Sequence, residues 1–92
     1  MRLVRRDKLD EFSGAHPDAR PWIAYWIADT EEAQWRTPQD IKRSYASASF
    51  LANNVVIFNI RGNNYRLEVQ IAYNTGVVVI RWVGTHAAYS RR

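Results

Sequence analysis

The stretch from Val55 to Gly84 constrains the fold more than any other part of the chain. It holds three apolar runs: Val55 to Ile60, Tyr65 to Tyr73, and Val77 to Gly84. Between them lie Arg61-Gly62-Asn63-Asn64 and Asn74-Thr75-Gly76. β-Branched and aromatic residues favour a pleated surface. Glycine and asparagine tolerate the positive φ that tight hairpins need. Two hairpins in succession give three neighbouring antiparallel strands. The middle run alternates. Tyr65, Leu67, Val69, Ile71 and Tyr73 share one face, and Arg66, Glu68 and Gln70 share the other. A sheet with one polar face takes its helices on the apolar side.

The third run carries an arginine, Arg81, inside an otherwise apolar strand and ends in Thr85-His86-Ala87-Ala88-Tyr89. Pairing across the 74–76 turn brings residues near 66 opposite residues near 83. Arg81 then lies diagonal to Arg66 or Glu68, within reach of long side chains. Glu68 is expected to pair with one or both arginines, which leaves the cluster positive. One helical turn after the strand would set His86 and Tyr89 on a common face.

The first half reads as mostly helical. Arg2 to Arg6 suits a short strand. Asp7 looks like an N-cap, Leu9 and Phe12 make an inward stripe, and Gly14 is placed to close that helix. Ala19, Trp22, Ile23, Trp26, Ile27 and Ala33 repeat at helical spacing to about Gln34, with Pro21 in the first turn. Thr37-Pro38-Gln39-Asp40 is a capped start for a short helix bearing Ile41, Lys42 and Arg43. Residues 44–49 read as a polar loop, and Asn53-Asn54 as a turn. Trp22, Trp26 and Trp35 are expected in the helix–sheet core. The expected architecture is α+β: one domain over residues 1–92, in the order β-α-α-(α)-β-β-β. Its sheet is mainly antiparallel, of about four strands, with two to three helices on one face.

Charge is unevenly placed. The chain has 92 residues and a formal charge of +4. Residues 1–40 contribute −2, and residues 41–92 contribute +6, with Glu68 their one acid. A cationic sheet half favours polyanions such as RNA. With no cysteine, thiolate metal sites, disulfides and thiol nucleophiles are excluded. No apolar run approaches the roughly 20 residues that span a bilayer, so no membrane role is expected. The basic start, Met1 to Arg6, has no apolar segment after it and does not read as a signal peptide. A cytoplasmic location is the expectation. The two histidines, His16 and His86, lack spaced carboxylate partners, so neither a metal nor another cofactor is expected. His16 reads as structural. There is no phosphate loop, Gly-x-Ser-x-Gly or His-Glu-x-x-His.

Taken together, Phe58-Asn59-Ile60-Arg61-Gly62-Asn63-Asn64-Tyr65-Arg66-Leu67, Arg81 and Thr85-His86-Ala87-Ala88-Tyr89 resemble the HigB branch of the RelE-like toxins. Thr37 to Lys42 and Ser47 to Leu51 are similar to that branch too. One departure is Ser90, where many members carry an acid directly after the tyrosine. The resemblance implies a type II toxin–antitoxin system. Its toxin is an mRNA interferase that cuts messenger RNA, commonly in the ribosomal A site. Its partner is a HigA-type helix-turn-helix antitoxin. Carried over by position, Arg66, Arg81, His86 and Tyr89 would form the catalytic site, with Asn59 and Asn63 shaping it.

Such cleavage uses the RNA 2′-OH as nucleophile on the adjacent phosphate. It needs a proton acceptor, charge stabilisation on the phosphate and a proton for the leaving 5′-oxygen. Arg66 and Arg81 suit the second task, because a guanidinium fork matches phosphate oxygens. His86 suits proton transfer, as base or acid. Tyr89 suits a hydrogen bond to phosphate, proton transfer or stacking. Lys42, Arg43, Arg61, Arg91 and Arg92 would attract the RNA backbone regardless of sequence. The alternative is a non-catalytic RNA- or ribosome-binding module with a degenerate toxin fold.

Overall fold

A computed structural model describes residues 1–92. In chain order the elements are β1 (Arg2–Val4), α1 (Asp7–Ala15), a 3-10 turn (Pro17–Ala19), α2 (Arg20–Glu32), α3 (Pro38–Ser44) and β2 (Ser49–Leu51). A second 3-10 turn (Ala52–Asn54), β3 (Val55–Ile60), β4 (Tyr65–Ala72), β5 (Val77–Thr85) and α4 (His86–Ser90) follow. The five strands form one sheet in the order β1-β5-β4-β3-β2. All neighbours are antiparallel except β1, which runs parallel to β5.

The sheet has one strand more than expected. The addition is β2, which pairs Ser49 with Ile57, Phe50 with Val56 and Leu51 with Val55. Three residues at a sheet edge are too few to show alternation, so they read as loop. The chain returns into β3 through Asn53 and Asn54, both left-handed at φ 64° and 61°, a conformation that asparagine accepts readily.

Two details of α1 differ from the sequence expectation. Arg5 takes a left-handed conformation, φ 66°, and the helix is already turning at Arg6, which occupies the cap position. Asp7 is therefore the first helical residue, where its carboxylate meets Arg5 at 3.1 Å and the positive helix end. Gly14 does not close the helix, which continues to Ala15 and ends at His16. The start of α3 follows its sequence: Asp40 accepts hydrogen bonds from the backbone N–H of Arg36 at 2.9 Å and of Thr37 at 3.2 Å. The Arg36 bond is the main reason that the Asp40 carboxyl titrates below the usual range.

Helices α1, α2 and α3 cover one face. Leu9, Phe12, Ile23, Trp26, Ile27 and Ile41 pack on Val56, Phe58, Ile60, Leu67, Val69, Ile71, Val78 and Ile80. Each fully buried aliphatic side chain contributes about 1.5–3 kcal/mol. Phe58 is the aromatic hub, with Trp26, Trp35 and Tyr45 rings at 5.4, 6.3 and 5.1 Å. Trp26 and Trp35 are buried as expected, and Trp22 is half-buried. His16 stacks on Phe12 at 4.1 Å and edges Tyr65 at 5.2 Å, a structural place. The opposite sheet face bears Arg66, Glu68 and Gln70, and only the short α4 leans on it. No helix is long and apolar enough to cross a membrane.

Candidate active site

The polar face is organised by a bulge. Between β4 and β5, Glu68 is opposite Trp82 while Val69 is opposite Ile80. Arg81 is the extra residue. A bulge locally breaks alternation and re-aims side chains. Arg81 and Trp82 therefore both serve the polar face, and Val83 turns back toward the core. Beyond the bulge, Arg66 lies opposite Gly84 on one side and Asn59 on the other.

The strand then runs straight into α4. Thr85 caps it, its hydroxyl oxygen accepting from the Ala88 N–H at 3.0 Å. The His86 N–H donates to the Asn64 carbonyl at 3.1 Å, which ties the start of α4 to the β3–β4 hairpin. These two anchors swing His86 and Tyr89 over Arg66. The Arg66 Nη2 is 3.0 Å from His86 Nε2. Its guanidinium carbon lies 4.7 Å from the centre of the Tyr89 ring. A guanidinium has no lone pair, so Nε2 accepts and the neutral imidazole holds its proton on Nδ1.

Charge on this face divides unequally among three arginines. Glu68 is almost fully buried and pairs with Arg92 at 2.7 Å and Arg81 at 3.5 Å. Arg81 also donates to the Gln70 side chain at 3.1 Å. The hydrogen bond that Arg92 donates to Glu68 raises the Arg92 pKa further above its ordinary value. Arg66 has no carboxylate partner, and its Nε is buried without a hydrogen bond. An unsatisfied buried donor costs about 1–3 kcal/mol. Trp26 Nε1 and the hydroxyls of Thr30 and Tyr73 are buried without a partner as well, but Arg66 alone among them carries a charge.

Of the four residues expected to act together, Arg66, His86 and Tyr89 are in direct contact. Arg81 is not in contact with them and is linked only by way of Glu68 and Arg92, farther along the same face. Asn59 stands beside Arg66 in register and donates to the Ser47 carbonyl at 3.2 Å. Asn63 is exposed at the hairpin tip, and Arg91 is exposed next to α4. Arg61 does not join the cluster. It reaches the Asp18 carbonyl at 3.4 Å, on the helix side. Lys42 and Arg43 make their contacts locally, with the Ala48 carbonyl at 3.0 Å and Asp40 at 2.9 Å. Arg92, expected only to attract RNA, is part of the cluster, over Trp82 at 4.9 Å and Tyr89 at 5.3 Å. Trp82 escaped the sequence reading, and Gln70, expected on this face, was not foreseen as a partner of Arg81. Strict alternation along β5 would have buried Trp82 beside Ile80, and nothing in the residue types announces the bulge.

The site is a shallow face and not a cleft. The surface concavities touch only its margins: one of about 310 Å³ between α1 and β5 at Arg81 and Trp82, and another at Gln70. An open cationic face suits a long polyanion better than a small molecule.

Compared with curated proteins, the chain matches none. A family model, described as HigB toxin, the RelE-like toxic component of a toxin–antitoxin system, matches residues 19–92. The matched part holds α2, α3, the whole β2–β5 meander and α4, hence every residue of the polar cluster. With the β2–β5 meander, the bulged β5 and the strand-to-helix junction all inside the matched region, the chain belongs to the HigB family of RelE-like toxins.

Proposed function

We propose that this toxin is a metal-independent endoribonuclease, an mRNA interferase that cuts messenger RNA within the ribosome. The observation that carries the reading is the Arg66 guanidinium, free of any carboxylate and set between a neutral imidazole acceptor and a phenol. The 2′-OH of one nucleotide attacks the neighbouring phosphate and the 5′-oxygen leaves. Arg66 engages a phosphate oxygen and offsets the charge that grows there. As the guanidinium turns to the phosphate, the His86 Nε2 lone pair is released to accept the 2′-OH proton. The Tyr89 ring lies against the guanidinium, and its hydroxyl supplies the proton that the 5′-oxygen takes up as its bond to phosphorus breaks.

Arg81 extends the positive face along the RNA, and Asn59 borders the reacting phosphate. Lys42, Arg43, Asn63 and Arg91 add sequence-blind attraction around it. The polar face offers one carboxylate, already shared by two arginines, and one histidine, which is a poor set for a divalent cation. The antitoxin that silences the protein is, on this reading, a HigA-type helix-turn-helix protein, and the toxin acts in the cytoplasm.

The deciding experiment is cleavage of a message by programmed ribosomes with purified toxin. The expected result is a cut whose upstream fragment ends in a 2′,3′-cyclic phosphate. A 2′-deoxy substitution at the mapped cut should abolish it. Arg66→Ala and His86→Ala should lose both cleavage and growth arrest on induction while keeping the wild-type melting temperature. Full growth arrest by both variants overturns the assignment.

A further inference from the structure

The polar face carries an aromatic surface that the cleavage chemistry does not use. The bulge at Arg81 delivers Trp82 to that face, opposite Glu68. The indole lies along the strand over Gly84. A Cβ at position 84 would stand 2.6 Å from Trp82 Cζ2 and 2.7 Å from Cη2. Any side chain there would evict the ring, so Gly84 keeps the indole flat. Tyr89 meets Trp82 edge to face at 5.6 Å. Tyr89 in turn lies under Arg66, so the indole is one ring away from the guanidinium proposed to hold the reacting phosphate. The planar guanidinium of Arg92 lies 4.9 Å above the indole. A partly exposed indole that already carries one flat cationic group is a surface on which a base can stack.

We propose that Trp82, laid on Gly84, is a nucleobase-stacking subsite for a nucleotide next to the scissile phosphate, and that Arg92 moves aside when the base arrives. The inference rests on the nuclease reading for its place along the RNA. Arg92 pairs with Glu68 at 2.7 Å while it covers the indole, and that pair is a pivot about which the guanidinium would swing. Stacking accepts any base face, with strength following ring size. Purines should therefore be favoured at this nucleotide over pyrimidines.

The test is a titration of the whole protein with adenosine 5′-monophosphate, followed by the indole N–H resonances. Trp82→Phe identifies the signal among those of the four tryptophans. The expected result is a saturable shift of the Trp82 indole and of the Arg92 Nε–H, with Trp26 and Trp35 unmoved. Ribose 5-phosphate, which lacks a base, should leave Trp82 unmoved. Trp82→Ala and Gly84→Ala should each weaken adenosine monophosphate binding about tenfold. Gly84→Ala does so without deleting the indole, and its melting temperature reports that the sheet is intact. A Trp82 signal that ignores the nucleotide, or answers ribose 5-phosphate equally, overturns the subsite. RNA cleavage with a silent Trp82 overturns the subsite alone. A responsive Trp82 in a protein that cuts no RNA overturns the nuclease reading alone.

Discussion

Arg66 donates a hydrogen bond to His86 across 3.0 Å, joining the start of β4 to the first residue of α4. The contact couples two states. A neutral imidazole accepts from the guanidinium, whereas an imidazolium would face a like charge. The phosphate acceptor and the proton acceptor are therefore linked before substrate is present.

The linkage makes lysine a poor substitute for Arg66. An ammonium keeps the charge but not the fork, and it cannot lie flat on Tyr89 while reaching His86 and a phosphate. Arg66→Lys should lower the cleavage rate about 10²–10³-fold, close to Arg66→Ala. Thermal melting should be nearly unchanged. Single-turnover cleavage on programmed ribosomes measures this, and near-normal cleavage by Arg66→Lys would show that charge alone suffices.

Much of this fold was legible from residue types, and the reasons are physical. β3, β4 and β5 announce themselves through apolar β-branched runs, alternating in β4, and through Gly62 and Gly76, both at positive φ in their turns. α3 announces itself through Thr37, Pro38 and Asp40. β2 was hidden because three edge residues carry no period. Trp82 was hidden because a bulge changes the face of every residue after it, and a bulge at Arg81 has no signature in side-chain type. Arg92 was legible as a cation but not as the partner of Glu68, because that pair spans 24 residues and depends on α4 turning the chain back over the sheet. Spacing alone set His86 and Tyr89 on one face, and their grouping with Arg66 was legible only through the resemblance to the HigB branch.

Glu68 is the sole acid of the cationic half and restrains two arginines. Glu68→Gln removes that charge while keeping a side chain that can still accept from Arg92. RNA and ribosome binding should tighten at low salt. The plot of log affinity against log salt should steepen by about 0.7 for each additional single-strand phosphate contact. Affinity measured from low to high salt for both proteins provides the check, and parallel lines would mean that Arg81 and Arg92 do not touch RNA.

The β3–β4 hairpin places His86 through the Asn64 carbonyl, and Tyr65 secures that hairpin. Its hydroxyl donates to Asp18 with oxygens at 2.7 and 2.8 Å. The same bond raises the Tyr65 pKa above its ordinary value. Tyr65→Phe keeps the ring against Phe12 and His16 but frees the turn. Cleavage should fall about tenfold through loss of alignment. Rescue of rate by Asp18 variants is not expected, since they free the same turn. A Tyr65→Phe protein with full cleavage would show that the hairpin needs no such anchor.

Tyr45 offers a test of the core with a defined sign. Its hydroxyl donates to Asp29 at 2.7 Å, and burial, then that bond, push its pKa well above the ordinary value of 10. Below pH 10 the phenol is protonated both folded and unfolded, so it adds no pH dependence. Above pH 10 the unfolded chain ionises Tyr45 and the folded chain does not. The folded state then binds more protons, and its stability falls as pH rises. Tyr45→Phe loses a hydrogen bond to a charged acceptor, about 1.5–3 kcal/mol, between pH 7 and 9. It also loses the alkaline decline that belongs to Tyr45, while every other titrating group is common to both proteins. The stability gap between wild type and Tyr45→Phe should therefore be constant to about pH 9 and narrow above pH 10. Urea unfolding of both proteins across that range measures the gap. A gap that widens with alkali would require Tyr45 to ionise more readily folded than unfolded, against both its burial and its bond to Asp29.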